Sequence, residues 1–284
     1  MTLRKPADLS TFRIGGDLPV TRYGLGTIQF TGDPDRWGPP ADPDHAKAVL
    51  RAAVEAGITH IDTADCYGPR HCETLIAEAL HPYRDEIVIA TKGGIRRTRP
   101  DEWDHYGHPD YLRSCIDQSL RRLRRDTLDL YYLHRIDPRI PLADQLGALV
   151  TARQSGKIRH IGLSKVTLDE LEQAQKITPV AAVQNPHNPA SADHRLREHC
   201  HKHNLAYVPY RPFAGTADHL AAPAEHLQQR IDHAMRSHLT DAPTTLLIPG
   251  TRSIDHLTAN LAAFRHITAT TSDPSASAAR RQPR

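Results

Sequence analysis

Side chains capable of acid–base chemistry follow one another at the ends of three consecutive strand-like segments. Asp62 ends the second such segment and is followed by Tyr67, Lys92 ends the third, and His134 ends the fourth. Asp62 lies in an apolar segment of the buried type, where an unpaired carboxylate is costly. It therefore needs a cationic partner, and Lys92 on the adjacent segment is the expected one.

The same lysine predicts a role for Tyr67. A cation close to a phenol favours the phenolate, so we expect Lys92 to lower the pKa of Tyr67 from about 10. Tyr67 could then donate a proton near neutral pH, and His134 could hydrogen-bond a substrate oxygen. Taken singly, these residues could be a structural ion pair, a turn tyrosine and a core histidine. Together, at consecutive strand ends, they favour an active site.

The segments that carry these residues belong to a regular alternation of strands and helices. The predicted strands are Gly24–Thr27, His60–Ala64, Ile87–Lys92, Leu128–His134, His160–Ser164, Ala181–Asn185, Ala206–Tyr210 and Leu246–Pro249. The predicted helices are Asp44–Ala56, His71–Leu80, Pro109–Leu123, Leu142–Gln154, Leu168–Lys176, Ala190–His203, Ala224–Leu239 and Ile254–Phe264. This alternation predicts a parallel sheet, because each helix must return the chain over one face.

Eight strand–helix units in about 250 residues predict an α/β fold, the (β/α)8 TIM barrel. An open doubly wound sheet is the alternative, but its Gly-x-Gly-x-x-Gly turn is not completed by residues 24–29. Strand-like pieces flank Gly15-Gly16-Asp17 and predict an N-terminal β-hairpin that caps one end of the barrel. We expect residues 1–267 to form this single barrel and the polar residues 268–284 to be a disordered tail.

The composition excludes several other classes of protein. The 36 lysines and arginines exceed the 33 acidic residues by a net charge of only +3, which argues against a nucleic-acid binder. No apolar stretch approaches the roughly 18 residues of a membrane span, and the first residues lack the apolar core of a signal peptide. We expect a cytoplasmic protein, a monomer or weak homo-oligomer, with neither nucleic-acid nor membrane partners.

The sequence predicts no metal site. The four cysteines match neither a disulfide framework nor a common zinc spacing. The run His199-Cys200-His201-Lys202-His203 superficially suggests a metal tract, but residues one and two apart on a helix point in different directions. Cys66, beside Tyr67, is interpreted as a packing thiol rather than a reactive one.

Several motifs together resemble one known family. They are Asp62-Thr-Ala-Asp-Cys-Tyr67-Gly, Ala90-Thr-Lys92-Gly, Leu128-Asp-Leu-Tyr-Tyr-Leu-His134, Gly156-Lys-Ile-Arg-His-Ile-Gly-Leu-Ser164 and Ile248-Pro-Gly-Thr-Arg252. From about Gly24 to Ala263 the chain resembles the aldo-keto reductases, and its opening segment with Trp37-Gly-Pro-Pro is similar to the bacterial pyridoxal-reductase-like branch. The resemblance implies a (β/α)8 barrel that binds NADPH without a Rossmann motif.

This resemblance also implies a catalytic tetrad of Asp62, Tyr67, Lys92 and His134. Tyr67 would protonate a carbonyl oxygen of a small-molecule substrate while hydride reaches the carbon. Lys92, paired with Asp62, would tune Tyr67, and His134 would orient the carbonyl.

A set of cofactor-binding residues is implied in the same way. Ser164 and Gln184 match the residues that hold the nicotinamide carboxamide, and Tyr210 matches the aromatic side chain that stacks on the nicotinamide. Arg252, at a helix start, matches the residue that receives the adenosine 2′-phosphate, which predicts NADPH rather than NADH. The full predicted set is Gly26, Thr27, Asp62, Ser164, Lys165, Gln184, Tyr210, Arg211, Pro212, Phe213, Ile248, Gly250, Thr251, Arg252, His256 and Asn260.

Some positions differ from the family's pattern. Lys165 stands where the family usually has asparagine, and His256 replaces an arginine on the last helix. Residues 225–238 are polar, which predicts a thin barrel wall before the last strand. These differences keep two alternatives open: an enzyme of this fold that performs redox-neutral dehydration or cyclisation, and a non-catalytic NADPH-binding module.

Loop residues at the same barrel end predict the substrate class. Trp37, Trp103 and Tyr106 are expected to form an aromatic pocket, and Arg135 and Arg211 are available for an acidic or phosphorylated group. We therefore expect an aromatic or heteroaromatic aldehyde or ketone, reduced to the alcohol in a specialised biosynthetic pathway.

Overall fold

The computed structural model describes residues 10–186, 193–213, 224–239 and 243–271. The strands are β1 Thr11–Ile14, β2 Leu18–Thr21, β3 Leu25–Gly26, β4 His60–Asp62, β5 Val88–Gly93, β6 Ile95–Arg96, β7 Asp104–His105, β8 Leu128–Leu133, β9 Ile158–Ser164, β10 Ala182–Pro186 and β11 Ala206–Tyr210. The helices are α1 Pro43–Glu55, α2 His71–Leu80, α3 Pro109–Leu123, α4 Leu142–Gln154, α5 Leu168–Gln175, α6 His194–Lys202, α7 Ala224–Leu239 and α8 Ile254–Thr271.

Seven strands form one parallel sheet, in the order β3, β4, β5, β8, β9, β10 and β11. The segment 243–249 joins the two edges of this sheet. The backbone N–H of Leu247 donates to Arg22 and its carbonyl accepts from Gly24, while Leu246 donates to the carbonyl of Tyr207. The sheet therefore closes on itself, and the predicted α/β fold, a (β/α)8 TIM barrel, is confirmed.

The barrel strands are buried on both faces. Strand β5 is buried along its whole length, as expected where helices cover the outside of a parallel sheet and side chains fill its inside. A Cβ atom at Gly93 would lie 2.0 Å from the hydroxyl of Tyr131. Only glycine fits at this position, and it lets the chain pass close to β8 immediately after Lys92.

The N-terminal hairpin of β1 and β2 closes the end of the barrel opposite the predicted active site. The two strands are antiparallel, and the turn residue Asp17 binds His160 on β9, with 2.6 Å between Oδ1 and Nε2. Gly15 has a φ of +63°, and a Cβ there would meet the His160 ring at 2.1 Å. The predicted cap is thus present, and it is also held to the barrel by the ion pair of Asp17 with Arg159, 3.0 Å long.

Individual element boundaries differ from the predicted ones. Strand β3 has only two residues, and the predicted strand at 246–249 is a segment with isolated bridges at Thr245 and Leu247. Helix α6 begins at His194, and residues 190–192 of the predicted helix lie outside the described residues. Helix α8 continues to Thr271, past the predicted barrel boundary at 267, and residues 272–284 of the predicted tail are not described.

A helix forms the barrel wall before the last strand, and its described residues pack against the barrel. Helix α7 has 16 residues, and Ala234, Met235 and Leu239 are buried. The predicted thin wall is therefore wrong for residues 228–239, because the apolar residues gather on one face of an otherwise polar helix. No helix among the described residues has the length and apolarity needed to cross a membrane.

Candidate active site

A buried ion pair lies at the carboxyl ends of β4 and β5. Lys92 Nζ donates to Asp62 Oδ1 over 2.6 Å and to the carbonyl of Thr63 over 2.7 Å. The lysine side chain is 0% exposed and the aspartate side chain 3%. Because an unpaired charge in this buried position would be very costly, the burial of each residue requires the presence of the other. The pairing predicted from the sequence is confirmed.

Tyr67 lies beside this pair but does not bind it. The Lys92 Nζ atom is 5.2 Å from the centre of the Tyr67 ring, and Tyr67 is 8% exposed. Burial, and next the negative charge of Asp62, raises the pKa of the Tyr67 hydroxyl well above its usual value. The predicted lowering of this pKa by Lys92 is therefore wrong, because Asp62 neutralises the lysine and burial disfavours the phenolate.

His134 completes the group from the end of β8. Its ring centre is 6.1 Å from that of Tyr67, in an edge-to-face arrangement, and its Nδ1 atom is 3.5 Å from the Sγ atom of Cys66. Burial, and then the positive charges of Lys92 and Arg135, lowers the pKa of His134 well below its usual value. The imidazole is thus neutral at physiological pH and carries a single proton, which it can offer to an oxygen.

A second carboxyl group lies next to this group. Asp65 is 8% exposed, and its Oδ1 atom has no hydrogen-bond partner among the described residues. Burial, and next the negative charge of Glu73, raises the pKa of Asp65 to about 7. Asp65 could not be recognised from the sequence, since nothing in the motif distinguishes it from an ordinary loop aspartate.

Two residues predicted to hold a carboxamide lie on the neighbouring strands. Gln184 donates from Nε2 to Asp62 Oδ2 over 2.7 Å, so it extends the buried network. The hydroxyl of Ser164 accepts from Arg135 Nη1 over 3.1 Å. Lys165 is exposed, has a φ of +55°, and donates from its backbone N–H to the carbonyl of Gln184 over 2.9 Å. The structure therefore places Ser164 and Gln184 in register on adjacent strands, and Gln184 connects them to Asp62.

Four more predicted cofactor residues are consecutive in the chain, beginning with the last residue of β11. Tyr210 ends the strand and is half-buried, and Arg211 is exposed with a φ of +53°. The carbonyl of Pro212 accepts from His238 Nε2 on α7 over 3.1 Å, which ties this stretch to the barrel wall. Phe213 is half-buried, and residues 214–223 lie outside the described part of the chain.

The predicted residues of the first and last strands meet where the barrel closes. Gly26 donates from its backbone to the carbonyl of Pro249 over 3.2 Å, and a Cβ at Gly26 would lie 2.6 Å from the carbonyl of Ile248. Thr27 donates from both its backbone N–H and its hydroxyl to the carbonyl of Asp62. Gly250 is exposed and follows at the mouth of the barrel.

The predicted phosphate site lies at the start of α8. Arg252 is half-exposed, and its guanidinium is paired with the carboxylate of Asp33. Thr251 bonds Ser253, and the predicted His256 is exposed in the first turn of α8. Asn260, predicted to lie near the adenine, is buried one turn further on and hydrogen-bonds the hydroxyl of Tyr23.

The predicted substrate-pocket residues form two groups around arginines that the sequence analysis did not single out. Trp37 and Trp103 lie on opposite loops, and the Arg97 guanidinium carbon is 5.2 Å and 4.0 Å from their rings. Tyr106 lies under Arg96, with 4.3 Å between ring centre and guanidinium carbon. Arg97 could not be chosen from the sequence, because it stands among other arginines in one loop.

Arg97 holds the loops of the aromatic pocket together. Its guanidinium donates to five backbone carbonyls, and no carboxylate is among its partners in the described residues. The acceptors are the carbonyls of Asp35, Arg36, Cys66, Pro100 and Glu102. One side chain thus joins the loop of Trp37, the loop of Trp103 and the turn that carries Tyr67.

Comparisons with known proteins agree with this architecture. A model of the aldo/keto reductase family matches residues 22–229. An uncharacterized oxidoreductase of Schizosaccharomyces pombe is 40% identical over 257 residues, which cover 87% of this chain and 83% of that protein. Pyridoxine 4-dehydrogenase of Escherichia coli is 37% identical over 268 residues, which cover 89% and 92% of the two chains.

A solved structure gives the same result at the level of the fold. The crystal structure of an aldo-keto reductase from Klebsiella pneumoniae in complex with NADPH has a TM-score of 0.74 and 25% identity, covering 91% of this chain and 90% of that one. The chain belongs to the aldo/keto reductase family and is an oxidoreductase. The family resemblance expected from the sequence motifs is confirmed.

Proposed function

We propose that this protein reduces an aldehyde or ketone to the alcohol with NADPH, and that Tyr67 is the proton donor. The observation that carries the proposal is the buried pair of Lys92 and Asp62 with Tyr67 and His134 beside it at one end of the barrel. A protein that only bound a nucleotide would have no need of a buried ion pair next to a tyrosine. The relatives and the family match support reduction of a carbonyl group in general.

The residues around this group fit NADPH. Ser164 and Gln184 present a hydroxyl and an amide beside Asp62, as a carboxamide requires. Arg252 is half-exposed at the N-terminus of α8, where a helix end and a guanidinium together favour a phosphate. When bound, the cofactor supplies hydride to the carbonyl carbon.

Tyr67 and His134 have complementary roles in the proposed reaction. His134 is neutral, since its pKa is lowered, and it donates a hydrogen bond that positions the carbonyl oxygen. Tyr67 keeps its proton at neutral pH, since its pKa is raised, and transfers it from Oη to the oxygen as negative charge develops there. An alkoxide is a stronger base than a phenolate, so this transfer is favourable. Such general-acid catalysis contributes about 10²–10⁴-fold in rate.

Lys92 positions the segment that leads to Tyr67, since its ammonium group donates to the carbonyl of Thr63. Its ammonium group is 5.2 Å from the phenol ring, and Asp62 holds it in that position. Solvent at the mouth of the barrel then returns a proton to Tyr67, because that residue retains 8% exposure. Each residue of the group thus has a defined role.

The pocket favours an aromatic or heteroaromatic substrate. Trp37 and Trp103 are 36% and 39% exposed, and Arg97 holds both loops near Tyr67. Arg135 lies beside Ser164 without a carboxylate partner in the described structure and offers a positive charge to an acidic group. Pyridoxine, for which one relative is named, is a heteroaromatic alcohol, so we choose pyridoxal as the first aldehyde to test.

The proposal is tested in two stages with the purified chain. A fluorescence titration with NADPH and, separately, NADH should show binding of NADPH at lower concentration. NADPH oxidation should then depend on added pyridoxal, and should be slower with an aliphatic aldehyde of similar size. Absence of binding by either nucleotide would overturn the proposal and favour redox-neutral chemistry, whereas binding without turnover of any carbonyl would favour a non-catalytic module.

A further inference from the structure

Three side chains with metal-binding atoms meet beside the predicted catalytic group. A carboxylate oxygen of Asp65, the thiol of Cys66 and a ring nitrogen of His134 all lie within 4.8 Å of one another, and all three residues are buried. The Cys66 Sγ and His134 Nδ1 atoms are 3.5 Å apart. Asp65 is more than nine-tenths buried and its carboxylate is hydrogen-bonded with the Cys115 thiol, yet its Oδ1 atom has no partner among the described residues. The group thus offers a buried oxygen acceptor, a thiol and an imidazole to one ion.

The distances suit a tetrahedral zinc ion. Zinc binds cysteine sulfur at about 2.3 Å and histidine nitrogen at about 2.0–2.1 Å, so two such ligands at a tetrahedral angle lie about 3.5–3.6 Å apart. The observed 3.5 Å between Sγ and Nδ1 agrees with that separation. The aspartate oxygen lies within 4.8 Å of both atoms and would supply the third ligand, and a water molecule would fill the open fourth position.

The charges also balance. A zinc ion with one carboxylate and one thiolate has no net charge, like the protonated carboxyl and thiol that it would replace. Metal binding in this group therefore exchanges two protons for one dication and buries no additional net charge. The charged and titratable groups that interact with the three ligands are Tyr67, Glu73, Lys92, Arg97, His105, Tyr111, Cys115, Arg122, Tyr131 and Arg135. The four cations among these, Lys92, Arg97, Arg122 and Arg135, oppose a bare dication, so both anionic ligands are required.

We propose that Asp65, Cys66 and His134 form a binding site for a divalent zinc-type cation, and that its occupation withdraws His134 from the carbonyl substrate. The loss of carbonyl binding rests on the function proposed for His134, whereas metal binding itself does not. Asp65 is 8% exposed and His134 4%, so both ligands keep some contact with solvent. The sequence predicted no metal site because Asp65 and His134 are far apart in the chain and match no ligand spacing.

The test uses the full chain, freed of metal with a chelator and then titrated with Co²⁺ alone. Cobalt bound through a thiolate in a tetrahedral site produces a ligand-to-metal charge-transfer absorption, and Zn²⁺ added afterwards displaces it. We expect about one equivalent of this absorption in the wild-type chain. Cys66→Ser should abolish the absorption, because a serine hydroxyl is a poor ligand for this ion.

The matched control is Cys200→Ser, in the histidine-rich end of α6. His199 and His203 stack there with ring centres 4.3 Å apart, and these histidines are the obvious competing site for a metal. The absorption should persist in Cys200→Ser. A band that is lost in this control, or that survives in Cys66→Ser, overturns the proposal.

A second variant, Asp65→Asn, keeps the proposal testable if Cys66→Ser fails to fold. It keeps the shape of the side chain and removes one anionic ligand. Because loss of even an outer partner costs about 10–100-fold in metal affinity, we expect Zn²⁺ affinity, measured by competition with a chromogenic chelator, to fall at least about tenfold. Unchanged Zn²⁺ affinity in a folded Asp65→Asn chain contradicts the site, whatever the activity toward carbonyls proves to be.

Discussion

The Nζ atom of Lys92 and the Oδ1 atom of Asp62 lie 2.6 Å apart, and solvent reaches almost none of either side chain. Gln184 holds the second carboxylate oxygen, so the aspartate is fully engaged. This pair sets the electrostatics of the site. Because the charge of Lys92 is balanced locally, burial rather than the lysine governs the pKa of Tyr67, and the phenol therefore keeps its proton at neutral pH.

The buried pair predicts an asymmetric effect on stability. Lys92→Met leaves the Asp62 carboxylate buried without its cation, so we expect the free energy of unfolding in urea to fall by about 3–5 kcal/mol. Lys157 and Asp117 form a pair of the same length, 2.6 Å, on the surface. The control Lys157→Met should therefore cost no more than about 1 kcal/mol. Equal losses of unfolding free energy in Lys92→Met and Lys157→Met would contradict the burial of the pair of Lys92 and Asp62.

A buried histidine predicts how stability depends on pH. His60 is 0% exposed, and neither ring nitrogen has a hydrogen-bond partner among the described residues. Burial lowers the pKa of His60 to about 4, whereas the unfolded chain binds its proton near pH 6.5. The unfolded state therefore binds more protons below pH 6.5, and stability is lost as the pH falls toward 4. Linkage puts this loss at about 3 kcal/mol.

Removing the titrating ring tests that dependence. In His60→Leu the decline in unfolding free energy between pH 6.5 and pH 4 should be smaller than in the wild-type chain by about 3 kcal/mol. The control His233→Leu changes an exposed histidine of α7 and should leave the decline as it is. Parallel pH profiles for wild type and His60→Leu would show that His60 titrates normally.

The ion pair of Arg252 and Asp33 predicts two opposite effects on cofactor choice. Arg252→Ala should weaken NADPH binding about tenfold or more, because a charge-assisted contact to phosphate is lost, and should leave NADH binding almost unchanged. Asp33→Asn frees the guanidinium and should tighten NADPH binding a few-fold. Fluorescence titrations of both variants with both nucleotides measure this. Equal effects on NADPH and NADH would place the 2′-phosphate elsewhere.

The contacts of Arg97 predict that its substitution changes substrate binding more than the rate of the chemical step. It donates to five carbonyls, whereas a lysine has only three protons to donate. Arg97→Lys should loosen the loops of Trp37 and Trp103 and raise KM for an aromatic aldehyde about tenfold, with a smaller change in kcat. Arg99→Lys, at an exposed position of the same loop, is the control. An unchanged KM in Arg97→Lys would show that Trp37 and Trp103 do not contribute to substrate binding.

The sequence was sufficient for the fold and for the residues at strand ends. The alternation of apolar runs and helical segments predicted the barrel, and strand ends placed Asp62, Lys92 and His134 together, because parallel strands end at the same edge. The family resemblance predicted Ser164 and Gln184 as cofactor-binding residues, and the structure places Gln184 against Asp62. These predictions succeed because strand order and register are encoded in local patterns.

Contacts between loops could not be predicted in the same way. Arg97, with its five carbonyl acceptors, is one arginine among several in its loop, and its role depends on where distant loops fold back. The pKa of Tyr67 was predicted in the wrong direction because burial outweighed a charge that has its own partner. Asp65 became a candidate only when the structure brought it near Cys66 and His134.

The most direct test of the proposed reaction is a single-turnover measurement of NADPH oxidation by pyridoxal, with wild type and Tyr67→Phe at saturating NADPH. If Tyr67 is the proton donor, the hydride-transfer rate should fall by about 10²–10⁴-fold in the variant, while fluorescence titration shows NADPH binding unchanged. A Tyr67→Phe chain that oxidises NADPH with pyridoxal at the wild-type rate would contradict the proposed mechanism.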